Sequence, residues 1–86
     1  MPQISRFFGI VIAMYFDDHA PPHFHAKYGG DECLISINDL RVIDGKLPSR
    51  ALGMVIEWAA SHQQELMSDW ELAKSYQPLL PIEPLK

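Results

Sequence analysis

The sequence has one cysteine, Cys33, so no disulfide can form within the chain. It also lacks a long apolar run. The longest, Phe7 to Phe16, is about half of the ~20 residues that a membrane-spanning helix requires. No charged opening segment with an apolar stretch and cleavage site is visible, so no secretory signal is expected. Together these features predict a cytoplasmic protein in a reducing compartment. Positive charge is scarce as well: seven Lys and Arg stand against eleven Asp and Glu, a formal charge of −4. The bases, from Arg6 and Lys27 to Lys74 and Lys86, are scattered rather than grouped. Phosphate contacts supply most of the affinity of nucleic-acid binders, so unaided nucleic-acid binding is disfavoured.

What is present suits one small folded domain over 1–86, without repeats or low-complexity tracts. Hydrophobic residues make up 48% of the chain, which is enough for a core and too many for a disordered segment. A chain of 86 residues has room for one modest core only. The pattern predicts an α+β fold: an antiparallel sheet of about four strands over roughly 4–44, helices over roughly 48–76, and an apolar Pro-rich tail over 77–86.

Phe7 to Phe16, rich in β-branched and aromatic residues, reads as one buried strand with Gly9 marking a bulge. Asp17 to Pro22 must be a loop, because Pro21-Pro22 stops any hydrogen-bond ladder. His23 to Tyr28 alternates, with Phe24, Ala26 and Tyr28 expected toward the core and His23, His25 and Lys27 on the other face. Gly29-Gly30 turns into a strand over Glu32 to Ile37, and Asn38-Asp39 reads as a two-residue turn into Leu40 to Ile43. Pro48 opens a long helix whose apolar stripe runs from Leu52 to Met67, with Gln63 off-pattern. Ser68-Asp69-Trp70-Glu71 matches a capping box and predicts a short second helix. Leu79, Leu80, Ile82 and Leu85 are too apolar for an idle tail. They either cover the domain's own core or await a partner.

Chemistry concentrates at His19, His23 and His25. His23 and His25, two apart on a strand, project from one face, and the diproline loop holds His19 and the acids Asp17 and Asp18 nearby. One reading is a metal site: His19, His23 and His25 with a carboxylate such as Asp18, holding a divalent ion such as zinc and leaving a position for water. Another is metal-free acid–base catalysis, since imidazole titrates near neutrality. A third makes the histidines the polar face of an edge strand, with His19 bonding a loop carbonyl. His62 falls off the helix stripe and reads as solvent-facing or lightly packed. Trp58 and Trp70 read as packing anchors.

The run Asp18-His19-x-Pro21-Pro22-His23-Phe24-His25-Ala26-x-Tyr28-Gly29, with Leu47-Pro48-x-Arg50-Ala51-Leu52 and Glu57-Trp58-Ala59 further on, resembles a family of small bacterial proteins known as domain of unknown function 4160. The family carries no established activity. The resemblance implies a two-protein, toxin–antitoxin-like module with a small partner encoded nearby, and makes His19, His23, His25 and His62 candidates for a shared site. Three functions are therefore carried forward: one member of such a module, a small metal-binding protein or metal-dependent hydrolase, and a non-catalytic protein-binding module. A homodimer through an open sheet edge is a further expectation.

Overall fold

A computed structural model describes residues 3–86. Five strands precede two helices: β1 (Gln3–Phe7), β2 (Ile10–Ala13), β3 (His23–Tyr28), β4 (Asp31–Ser36), β5 (Val42–Gly45), α1 (Ser49–Ala60) and α2 (Gln63–Lys74). The strands form one antiparallel sheet in chain order, β1-β2-β3-β4-β5. The fold is α+β as expected, with one strand more than the predicted four.

The extra strand comes from the apolar run. Phe8 and Gly9 both have positive φ, +50° and +79°, the handedness that a two-residue hairpin turn requires. The run therefore folds back on itself instead of forming one bulged strand, and Phe7 pairs with Ile10. Gly29-Gly30 makes the expected turn between Tyr28 and Asp31. The next loop is longer than predicted. Leu40 takes φ +57°, its N–H reaches Ser36 O at 2.9 Å, and β5 begins only at Val42. Gly45 closes β5 at φ +74°, and a Cβ there would collide with the Glu32 carbonyl.

Residues directly opposite in an antiparallel pair share a face. The pairs Phe7–Ile10, Ile12–Ala26, Ala26–Cys33 and Phe24–Ile35 put one apolar set together, and all these side chains are buried. The helices cover this set. The Trp58 ring of α1 lies 5.4 Å from Phe7 and 6.0 Å from Phe24. Each fully buried large side chain of this kind contributes about 1.5–3 kcal/mol. Tyr28, expected in the core, sits at the strand end, 39% exposed, with its ring beside Gly9.

The helices divide earlier than predicted. α1 ends at Ala60, and Ser61 and His62 separate it from α2. The long first helix and the start at Ser68 are thus corrected, and Ser68 lies inside α2. Off-pattern Gln63 was the clue. Its side-chain amide donates to Ile37 O at 2.8 Å, which anchors the first turn of α2 to the end of β4. The tail follows the first alternative and covers its own domain. Ile82 N–H donates to Ile4 O (2.8 Å), Trp58 Nε1–H donates to Glu83 O (2.7 Å), and Ile82 is buried. No helix among the described residues is long and apolar enough to cross a membrane.

Candidate metal centre

β3 is the central strand, so the edge-strand reading of its histidines is corrected. Pairing satisfies its backbone from both sides, and the side chains alone set its chemistry. Phe24 and Ala26 enter the core, while His23, His25 and Lys27 turn to the other face. His25 stands between Ala13 of β2 and Leu34 of β4, with the Tyr15 ring edge-on at 4.5 Å. His23 is 5% exposed because Trp70 of α2 closes over it, ring centroids 5.3 Å apart.

The loop after β2 brings Asp18 to both rings. Its Oδ2 lies 3.0 Å from His25 Nε2 and 3.4 Å from His23 Nε2. The turn after α2 fixes this loop from outside: Tyr76 donates its hydroxyl to Asp17 Oδ1 at 2.7 Å, and its ring packs on Phe16. That hydrogen bond raises the Tyr76 phenol above its usual range, because it stabilises the protonated form beside the Asp17 carboxylate. Of the two aspartates, Asp18 therefore joins the histidines and Asp17 holds the loop.

The hydrogen bonds decide which ring atoms face the centre. His23 Nδ1 lies 2.9 Å from the Pro21 carbonyl, which only accepts, so Nδ1 carries the hydrogen. Its Nε2, a buried atom with no hydrogen-bond partner among the described residues, then faces Asp18 either as a lone pair or, in the imidazolium, as an N–H. His25 Nδ1 lies 2.8 Å from Glu32 Oε2, again an acceptor. Both His25 nitrogens thus face carboxylates. Either His25 is an imidazolium, or a cation takes the place of the Nε2 proton. One donor atom from each of Asp18, His23 and His25 lies within 4.8 Å of the other two. Adjacent ligands around one zinc-sized ion stand about 3.0–3.4 Å apart, given bonds of about 2.0–2.1 Å. The two spacings to Asp18 fall in that range.

The surroundings match the outer shell that metal-bound histidines ordinarily have, in which the second ring nitrogen donates to a carbonyl or carboxylate. The Pro21 carbonyl serves His23 and Glu32 serves His25. Lys27 lies directly opposite Glu32 and donates to the Tyr15 hydroxyl at 2.6 Å. That hydrogen bond raises the Lys27 ammonium above its usual range. Cys33 offers no thiolate here. It points into the core, and burial pushes its thiol up.

Of the predicted candidates, Asp18, His23 and His25 come together. His19 is exposed and lies outside the group. The two prolines between it and His23 carry it away. His62 sits at the start of α2, with Nδ1 2.6 Å from Glu65 Oε1 and its ring beside Trp58. It is half-buried, which is the lightly packed alternative. Sequence reasoning missed Glu32 and Tyr15. A signal for Glu32 existed: the two-residue turn at Gly29-Gly30 fixes Lys27 opposite Glu32 and so sets Glu32 diagonal to His25.

Compared with known proteins, residues 9–71 match the family model of a domain of unknown function, DUF4160. No curated protein and no solved structure matches the chain.

Proposed function

We propose, for a chain that belongs to the DUF4160 family, that it is a metal-binding protein with its centre at Asp18, His23 and His25. The observation that carries this reading is the buried His23 Nε2. The ring's Nδ1 is committed to the Pro21 carbonyl, while Nε2 is buried without a hydrogen-bond partner among the described residues and faces a carboxylate oxygen 3.4 Å away. A nitrogen lone pair and a carboxylate placed face to face in a buried site repel unless a proton or a metal cation lies between them. A divalent ion meets that need at His23 and at His25 together.

Two imidazoles and one carboxylate suit zinc, iron or nickel and leave coordination positions for water or substrate. A bound dication would acidify such a water, so metal-assisted hydrolysis is the activity that belongs to this reading. Zinc titration of tag-free protein, beside His23→Ala and His25→Ala, is the test. One equivalent bound by the wild type and lost in both variants is the expected result. If zinc, nickel and ferrous ion all fail to bind at micromolar concentration, the reading is wrong and the group is a proton-bridged cluster.

The two-protein module is a second reading, favoured by large apolar side chains left at the surface. Phe8 is 61% exposed, Tyr76 65% and Leu80 62%. A partner covering them would protect these positions from hydrogen exchange in the co-expressed pair. Failure of the neighbouring gene product to co-purify counts against this reading.

A further inference from the structure

Away from the histidines, a cavity of about 330 Å³ lies between α2 and the C-terminal tail. Gln64, Glu65, Ser68 and Asp69 form its polar wall, and Leu80 and Ile82 stand on the apolar one. Asp69 is the unusual member. It is 1% exposed, the one acidic side chain buried among the described residues. Its Oδ1 accepts the Leu80 N–H at 3.0 Å, and its Oδ2 has no hydrogen-bond partner among the described residues. Native proteins rarely leave a buried carboxylate oxygen without a donor, because desolvation is then uncompensated.

The wall supplies no compensating charge. Glu65 adds a second carboxylate, which His62 Nδ1 meets at 2.6 Å, and His62 is not among the residues lining the cavity. Burial holds the Asp69 carboxyl above the usual range against the pull of the Leu80 N–H, and the Glu65 charge adds a smaller push in the same direction as burial. A neutral donor would satisfy the hydrogen bond alone. A cation with N–H donors would satisfy the bond and the charge, with its hydrocarbon against Leu80 and Ile82. The volume, at the low end for small-molecule sites, limits the ligand to a few carbons beyond the cationic head.

We infer that the cavity between α2 and the tail binds a small organic cation, an alkylguanidinium or alkylamine, through Asp69. This inference is independent of the metal reading.

The test is an amide-resonance titration of the full chain with n-butylguanidinium, and with neutral n-butylurea, which keeps the shape and N–H donors but not the charge. Saturable shifts at Gln64 to Asp69, Leu80 and Ile82 are expected, with the urea at least about tenfold weaker, as fits a charge-assisted hydrogen bond. Asp69→Asn keeps an acceptor for Leu80 and is expected to lose a similar factor. If that variant does not fold, Ser68→Phe, placed from an exposed position, should block the cavity and abolish the shifts. Equal binding of the two probes, shifts unchanged in Ser68→Phe, or no saturable shift up to about 10 mM guanidinium would each overturn the inference. The last bound allows for the few kcal/mol expected of so small a ligand.

Discussion

The two faces of β3 are built from six consecutive residues, yet different forces hold them. On one face Phe24 and Ala26 disappear under α1, and Trp58 packs on Phe24. Apolar burial there is non-directional, so any well-packed side chain of similar volume would serve. On the other face His23 and His25 are fixed atom by atom, through Pro21 O, Glu32 and Asp18. The difference teaches where to look for function. The helix-covered face tolerates imprecise chemistry and demands volume. The histidine face demands specific atoms, and it ends in a buried nitrogen that its neighbours do not satisfy.

The largest expected effect lies on the apolar face. Phe24→Ala should remove about 3–5 kcal/mol of stability, the usual range for a buried aromatic, measured by urea denaturation. A loss below about 1 kcal/mol would mean that Trp58 closes the gap and that the two faces are less different than the packing indicates. On the histidine face the loss should appear in ligand binding instead. His25→Ala should reduce zinc affinity by at least about 100-fold, equivalent to some 2.7 kcal/mol. Chelation should lower the melting temperature of the wild type and leave that of His25→Ala unmoved, because only the wild type gains stability by mass action.

Glu32→Gln probes the outer layer of that face. The amide can still accept from His25 Nδ1 but no longer carries charge, so zinc affinity should fall about tenfold, the lower end of outer-shell effects. Glu32 is exposed, and the metal-free stability of this variant should stay within about 0.5 kcal/mol of wild type. An unchanged affinity would reduce Glu32 to a surface ion-pair partner.

The smallest effect concerns Asp69, a buried carboxylate with one backbone donor, the Leu80 N–H. Its carboxyl is raised in the folded state, so between the unfolded value, near 3.8, and the raised folded value the native chain binds the extra proton. Stability therefore falls as pH rises through that window and stays lower above it. Asp69→Asn should flatten this slope, because the amide has no proton to release in the window. A wild-type stability that rises more steeply with pH than that of Asp69→Asn over this window would show that the Leu80 N–H outweighs burial.

Several elements were legible before any coordinates. The alternation of His23 to Tyr28 assigns Phe24 and Ala26 to the core and the histidines to the other face, because the strand period is two. Gly29-Gly30 announces its turn. Pro48 and the stripe beyond it announce α1. Misreadings arose where several conformations satisfy one local pattern. Phe7 to Phe16 is apolar throughout, so periodicity does not reveal that Phe8-Gly9 turns. Ser68 to Glu71 has a capping pattern, yet it lies within α2, because Gln63 is tied to Ile37 O and the helix has already begun.

The sequence by itself determined the α+β class, the face on which each β3 side chain lies, and the segment where chemistry gathers. Each of these follows from spacings of a few residues along the chain. Only the tertiary structure decided that Asp18 rather than His19 joins His23 and His25, that Glu32 orients one ring, and that Trp70 buries the other. Those choices depend on the path of the diproline loop, the β3–β4 register and the approach of α2. They join atoms from segments that sequence spacing leaves free, and burial then sets how strongly those atoms interact.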